Sequence, residues 1–391
     1  VTIFHNVVWS RHKGAVFSAL HTLSASGTIR YAMVQIAETE TDRIGFSDVD
    51  YSYHRYPMRK LFDGCYEDVP AWKMIARLTR EVLKTKAELV VLPGYHRPEY
   101  WAMLAACVVT RKRRAVFCDS TAFDRPRRLL TSIPKRIFFS LCDGYFGFGE
   151  RSREYLMSLG AKRERIFVPC QAAALPRSFS PERALEERLS ARSSGLPVLL
   201  YVGRLSEEKA IDTLLDAFAR AREVVPEATL RIVGTGGLHD RLTSRVEALA
   251  LDGAVQFVGS LQDEPLSREY FGATCLVLPS HSEPWGLVVN EALSHGCPAV
   301  VSDRCGCVPE LIVEGETGLS FPAGDVDALA RALIEAIGYF NDAQRTAHAC
   351  MARIARFDPR SAALNIERGC VAMLRAAGSG RTASRASGAG R

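Results

Sequence analysis

The sequence predicts an α/β protein made of two domains, each a doubly wound parallel sheet. Three observations carry this expectation. The chain has 391 residues, more than one ordinary core accommodates, so two domains of roughly 150–200 residues are expected. Short β-branched runs alternate with amphipathic, helix-compatible segments along most of the length, the pattern of parallel strands with helices on both faces. The alternation then restarts near residue 197, after a stretch that lacks a strand.

Taken in order, TIFHNVVW, IRYAMVQIA, ELVVLPG, RAVFCDS, GYFGFG and RIFVPC read as the strands of the first half. DVPAWKMIARLTREVLKTK and EYWAMLAACVVTRK read as helices between them. In the second half the strands are PVLLYVG, ATLRIVG, VQFVGS, TCLVLPS, PAVVSD and GLSFPA, each followed by helix-compatible sequence. The polar stretch QAAALPRSFSPERALEERLSARSSGLP joins the halves. The expected boundaries are a first domain over 1–172, a linker over 173–196, a second domain over 197–345 and C-terminal helices over 346–376. The final 377–391, rich in Gly, Ser, Ala and Arg, is expected to be disordered. Two such domains create a cleft, and ligands of open α/β sheets sit outside the carboxyl ends of the strands.

Composition narrows the class. With 24% charged and 47% hydrophobic residues the chain reads as soluble and globular. No apolar run reaches the ~18–20 residues of a membrane span. The opening VTIFHNVVWSRHKG has no basic region ahead of its apolar part and reads as a strand entering a loop, not as a secretory signal. The 11 cysteines are scattered, as expected of reduced thiols in a cytoplasmic protein. Cys305 and Cys307 form the tightest pair, without a second pair at zinc-ligand spacing. The net charge of +6 is uneven: Arg111, Lys112, Arg113, Arg114, Arg125, Arg127, Arg128, Lys135 and Arg136 crowd one part of the first half.

Four strand-end loops of the second half carry candidate chemistry. In YVGRLSEEKAIDTLLDAF a strand ends at Gly203, and Arg204 and Lys209 flank a short acidic loop; two fixed cations suit a diphosphate, against the alternative of a solvated surface loop. In LRIVGTGGLHD, Gly234 and Gly236 let backbone N–H groups come close to a phosphate or base, although a structural tight turn explains them equally. In SEPWGLVVNEALSHG, Pro284 suits a helix start, so the N–H groups of Trp285, Gly286, Leu287 and Val288 would lie in the first turn and make an anion site. Glu291, one turn further in, can accept hydrogen bonds from a ribose diol, while Glu283 stays in the loop and faces what lies beyond the phosphate. The alternative is a capping Glu283 and a solvated Glu291. The fourth loop, after Glu310, leads through GETGLSFPAGD into a helix capped by Asp325.

The ordered set GRLSEEKAIDTLLDAF, IVGTGG, FVGSL, LPSHSEPWGLVVNEALSHGCPAVVSD and VPELIVEGETGLSFPAGDVDALARAL resembles glycosyltransferase family 4 over about 150 residues. That resemblance implies the GT-B fold, two Rossmann-like domains facing across a cleft, and a retaining hexosyl transfer from a nucleoside-diphosphate sugar, UDP- or GDP-linked. It implies that Arg204 and Lys209 grip the diphosphate, Glu283 orients the transferred sugar, Glu291 binds the ribose, and the backbone at Gly286 and Leu287 contacts phosphate. Ala210 departs from the family, which usually has glycine after the lysine.

The first half resembles the family in outline only. Where many members carry a glycine-rich acceptor loop, this chain reads NVVWSRHKGAVFSAL with the single Gly14, so Asn6, Trp9, Arg11 and Lys13 are the acceptor candidates. The family's histidine near the reacting sugar matches His96 best, with Tyr95 beside it; Asp119 and Ser120 stand at another strand end facing the acceptor. The mechanism implied is front-face attack, in which a donor phosphate oxygen takes the acceptor proton and the protein positions the reactants and stabilises the leaving group.

No metal or bound cofactor is expected. Of the two Asp-x-Asp matches, Asp325 with Asp327 suits a helix start, and Asp48 with Asp50 lacks a strand–loop–helix setting. The basic segment 111–136 interleaves cations with Leu, Ile and Phe and suits an anionic membrane surface, against the alternative of a solvated face over a core-facing stripe. Nucleic acid is not expected, since no binding motif accompanies the patch. The expected partners are thus a nucleotide-sugar donor, a glycan or lipid-linked acceptor of cell-surface polysaccharide or glycolipid assembly, and the cytoplasmic membrane face. An epimerase or phosphorylase on the same scaffold, or a non-catalytic nucleotide-sugar-binding subunit, are the alternatives.

Overall fold

The computed structural model describes residues 1–27, 29–41, 49–124, 129–193 and 195–386. The chain divides into two compact units, Val1–Ala174 with Pro359–Arg391, and Leu175–Asp358. The first unit runs β1 (Thr2–Val7), α1 (Arg11–Ser26), β2 (Ala32–Ala37), β3 (Met58–Lys60), α2 (Ala71–Lys84), β4 (Leu89–Leu92), α3 (Pro98–Val109), β5 (Arg113–Cys118), α4 (Leu129–Ser140), β6 (Gly144–Gly147), α5 (Glu150–Ser158) and β7 (Ile166–Phe167). The second runs α6 (Pro181–Ala191), β8 (Val198–Val202), α7 (Ile211–Val224), β9 (Thr229–Val233), α8 (His239–Ala248), β10 (Val255–Gly259), α9 (Asp263–Gly272), β11 (Cys275–Leu278), α10 (Leu287–Ser294), β12 (Ala299–Ser302), α11 (Val308–Leu311), β13 (Gly318–Phe321), α12 (Val326–Tyr339) and α13 (Ala343–Ile354). Helix α14 (Pro359–Ala386) closes the first unit.

Both sheets are parallel, in the orders β3-β2-β1-β4-β5-β6-β7 and β10-β9-β8-β11-β12-β13. All twelve runs read as strands from sequence are strands. The thirteenth, β3, escaped that reading because Met-Arg-Lys at a sheet edge has no apolar alternation to detect. The inner strands of the first sheet are buried on both faces, and alternate residues serve different cores. Phe4, Val34, Val90, Leu92 and Val116 pack with Met74 and Leu78 of α2 and Met103 of α3. Ile3, Met33, Leu89, Val91 and Phe117 pack with Phe17 and Leu20 of α1 and Ile366 and Cys370 of α14. This two-sided burial is why the strands read as near-continuous apolar runs. In the second unit Leu199, Tyr201, Leu230 and Ile232 of the sheet pack with Leu214 and Phe218 of α7 and Leu329 and Leu333 of α12.

Two expectations need correction. The stretch 173–196 is not a free linker: from Leu175 onward it belongs to the second unit. Arg188 of α6 is fully buried and donates to the backbone carbonyls of Tyr270 and Phe271, each at 2.9 Å, which fastens α6 to the end of α9. Residues 377–386 are helical as the end of α14, because extending a helix whose first turns are already packed costs far less than nucleating one. Residues 387–391 of the expected tail lie outside the described residues, as do Asp48, Arg125, Arg127 and Arg128. Pro134 sits inside α4, where its missing N–H forfeits one backbone bond. Among the described residues, no helix is long and apolar enough to cross a membrane.

Candidate functional site

Strand order fixes where to look. Connections from the central strands diverge between β1 and β4 in the first sheet, and between β8 and β11 in the second. At such a switch point the loops leaving the carboxyl ends separate and open a binding site. The loop after β8 carries Gly203, Arg204 and Lys209; the loop after β11 carries Glu283 and Trp285. Asn6 near the end of β1, Trp9 in the loop that follows, Arg11 and Lys13 at the start of α1, and Tyr95 and His96 on the β4 loop flank the other switch point.

In the second unit the β8 loop is fixed from below. The Tyr201 hydroxyl donates to the Arg204 carbonyl at 2.8 Å, and the Leu205 N–H to the Thr235 carbonyl at 2.9 Å. Gly234 and Gly236 are required by this contact between loops. A Cβ at Gly234 would lie 1.9 Å from the Gly203 carbonyl oxygen, and one at Gly236 2.3 Å from that of Leu205. The Arg204 guanidinium pairs with Glu208 at 3.0 Å. Lys209, at the end of the 3₁₀ turn Glu207–Lys209, pairs with the Glu283 carboxylate, and both side chains are mostly buried. The sequence-distant residues 209 and 283 thus meet at the switch point. The His281 N–H donates to the Glu208 carbonyl at 2.9 Å and ties the two loops together. Ala210, the family departure, has φ 52°, the left-handed conformation in which glycine is unstrained and alanine is not.

Helix α10 begins later than Pro284 suggested. Its N-cap is Gly286 at φ 97°, so Trp285 precedes the helix and the first-turn N–H groups start at Leu287. Glycine provides no capping side chain and the first turn has no acid. The leading N–H groups therefore remain for an external acceptor. The Trp285 indole turns inward, buried, and donates to Asn290 Oδ1 at 2.7 Å. Glu291 accepts from the Tyr270 hydroxyl at 2.9 Å. Tyr270 stacks on His295, which bonds Ser267 at 2.9 Å and the Glu291 carbonyl at 2.7 Å; burial pushes His295 down to about 4. Sequence reading missed Tyr270, whose role depends on where α9 packs.

In the first unit the acceptor candidates gather at the carboxyl edge of β1, β4 and β5. Asn6 accepts from the Tyr100 hydroxyl at 2.7 Å, and the His96 ring meets Tyr100 edge-on at 5.6 Å, so Tyr100, another missed residue, links the two. His96 is exposed. Tyr95 is buried and its hydroxyl bonds Ser120 at 2.8 Å; Asp119 beside it is exposed. Trp9 is partly buried, and Arg11 pairs with Asp50 at 3.2 Å. Lys13 is 5% exposed, and its Nζ has no hydrogen-bond partner among the described residues. Gly14 exists for His54, whose ring would lie 2.9 Å from a Cβ there. His54 in turn bonds the Val8 carbonyl and the Tyr56 hydroxyl, each at 2.7 Å.

Of the Asp-x-Asp residues, Asp325, Asp327 and Asp50 are described. Asp325 caps α12 by accepting from the Ala328 N–H at 2.9 Å, and Asp327 pairs with Arg220. Asp50 accepts from the Ser52 N–H at 2.9 Å. Cys305 and Cys307, like the other cysteines, are buried.

Comparison with known proteins finds likenesses of sequence and of fold. Residues 184–347 match the family Glycosyl transferases group 1. Glycogen synthase of Mycobacterium tuberculosis is 38% identical over 161 residues, 41% of this chain and 39% of that protein. The match thus spans about two fifths of that curated relative. Among solved structures, the lipopolysaccharide outer core galactosyltransferase WaaB has a TM-score of 0.69 at 18% identity, covering 95% of this chain and 98% of WaaB. Anabaena HepE, solved in complex with UDP, has a TM-score of 0.70 at 17% identity over 95% of this chain and 99% of its own. By its two parallel sheets and these likenesses the chain has the GT-B fold, and residues 184–347 within its second unit match glycosyl transferases group 1.

Proposed function

We propose that the chain is a retaining glycosyltransferase of family 4 that moves a hexosyl group from a nucleoside-diphosphate sugar to a glycan or lipid-linked acceptor. The observation that carries this is the Lys209–Glu283 pair beside Arg204, at the switch point of the sheet that matches the family. In this reading the donor diphosphate draws Arg204 and Lys209 from Glu208 and Glu283, and the N–H groups of Leu287 and Val288 share the charge. Glu283, released from the lysine, accepts from hydroxyls of the transferred sugar. Glu291, oriented by Tyr270, accepts from the ribose. As the glycosidic bond breaks, the cations stabilise the leaving diphosphate and one of its oxygens takes the acceptor proton. The acceptor is held by Asn6, Trp9, Arg11, Lys13, Tyr95, His96, Asp119 and Ser120. HepE was solved with UDP, which supports a uridine donor; a guanosine donor is the alternative that titration decides.

We place the protein in cell-surface polysaccharide or glycolipid assembly, peripheral on the cytoplasmic membrane face. What supports the membrane contact is α4, where Ile133 and Ile137 are 53% and 50% exposed one turn apart beside the exposed Arg136. Calorimetric titration with UDP, GDP and ADP, on wild type and Glu291→Ala, tests the donor site. Binding of one nucleotide, weakened in the variant, is expected; no binding by wild type would overturn the reading. Co-sedimentation with anionic and neutral vesicles tests the membrane contact, which Ile137→Asp should weaken.

A further inference from the structure

We infer that His295 is a positioning residue of the donor site: by tying Tyr270 to the backbone of Glu291 it fixes the direction in which the Glu291 carboxylate meets a ribose, and so sets a preference for ribonucleotides over 2′-deoxyribonucleotides. The inference rests on the donor reading of Glu291 and deepens it.

The arrangement follows from helix spacing. Ser267, Tyr270 and Phe271 stand at i, i+3 and i+4 on α9 and share one face. Glu291 and His295 stand at i and i+4, with His295 the C-cap of α10. Where the two faces meet the imidazole is enclosed, and His295, Ser267 and Tyr270 are all buried. The ring lies on the Tyr270 ring, with centroids 5.2 Å apart and planes at 23°. Phe179 and Phe271 meet it edge-on, at 5.2 and 5.0 Å.

The partners of the two ring nitrogens assign the hydrogen. The Glu291 carbonyl, 2.7 Å from Nδ1, can only accept, so Nδ1 carries it. Burial keeps the ring neutral, with a pKa of about 4, so Nε2 accepts from the Ser267 hydroxyl at 2.9 Å. Ser267 thus fixes the tautomer.

The contacts close a loop on one residue. The Tyr270 hydroxyl donates to the Glu291 carboxylate at 2.9 Å, the Tyr270 ring rests on His295, and His295 donates back to the Glu291 carbonyl. Glu291 is thereby held at both its backbone and its carboxylate. A glutamate loses rotamer freedom when a ligand orders it, and a loop that orders it beforehand removes that cost from binding. The imidazole does this without a charge of its own, so it braces the carboxylate without neutralising it. Capping of α10 alone does not require the ring, because the backbone N–H of His295 already donates to the same carbonyl at 3.1 Å.

The test is calorimetry on the full chain with UDP, GDP and their 2′-deoxy counterparts, for wild type, His295→Asn, Tyr270→Phe and the double variant. Asparagine keeps a donor for the Glu291 carbonyl and removes the ring. Wild type should prefer the ribonucleotide it binds over its deoxy form by roughly tenfold or more, since the deoxy ligand deprives the carboxylate of a hydroxyl donor. His295→Asn should reduce this preference to about threefold or less through lost ribonucleotide affinity, with the deoxy ligand bound nearly as before. Because His295 acts through Tyr270, the double variant should lose no more than Tyr270→Phe alone. A histidine that only supports the fold would weaken both ligands by the same factor, and that result, or additive losses in the double variant, would overturn the inference. If His295→Asn does not fold, Ser267→Ala, which leaves the ring in place and releases its tautomer, is read in the same way; an unchanged preference there would also overturn it. Wild type that binds none of the nucleotides would sink the donor reading and this inference together. A ribonucleotide preference that His295→Asn retains would sink this inference alone.

Discussion

The two units present their charges in opposite ways. In the second, both switch-point cations already have carboxylate partners, Arg204 with Glu208 and Lys209 with Glu283. In the first, Lys13 is enclosed between two phenylalanine rings with no hydrogen-bond partner among the described residues. A paired site is stable when empty and must exchange partners to bind; an unpaired buried cation is costly. The first arrangement suits a ligand whose diphosphate is always the same. The second makes the unit's stability depend on pH.

The largest test of this contrast is Lys209→Ala. In the proposed reaction it removes a leaving-group contact, and kcat for sugar transfer should fall on the order of a hundredfold or more. A change of only a few fold in steady-state kinetics would show that the pair is structural.

Next in size is the pH dependence set by Lys13. Its folded pKa, about 8, lies below the ordinary lysine value of 10.5. The unfolded state therefore binds more protons between these values, and stability rises with pH across that window. The destabilisation is present in full below about 8, and a shift of this size corresponds to roughly 3 kcal/mol. Lys13→Met should remove this rise and be more stable than wild type near neutrality, as urea unfolding at several pH values would reveal. A variant less stable than wild type at pH 7 would mean that the aromatic faces compensate the charge fully.

A smaller effect separates the two groups at the proposed ribose site. Glu291→Ala should weaken nucleoside diphosphate binding by about 2 kcal/mol, and Tyr270→Phe, which removes one bond to that carboxylate, by about 1 kcal/mol. If Tyr270→Phe weakened binding more than Glu291→Ala in calorimetry, the carboxylate would not be the group that holds the ligand.

The smallest is Ala210→Gly. Alanine at φ 52° is strained and glycine is not, yet glycine adds freedom to the unfolded chain. The net expectation is a gain of about 0.5 kcal/mol in thermal unfolding, without a change in the donor site.

Much of this protein was legible in its residues. The alternation of apolar runs and helices identified twelve of the strands, because parallel strands buried on both faces leave a continuous apolar signature. The glycines, cations and acids proposed to hold the donor drew notice in the sequence because they stand in order at strand ends. Only tertiary structure decided the rest. It brought Lys209 to Glu283, pressed Gly234 on the Gly203 carbonyl, and returned α14 to the first unit. It also set Tyr270 on Glu291, Tyr100 on Asn6 and His54 against Gly14. These are contacts between elements far apart in the chain, fixed by how sheets twist and helices pack, and no local periodicity encodes them. The isolation of Lys13 is of the same kind, since a lysine looks alike in sequence whether water or two aromatic rings surround it.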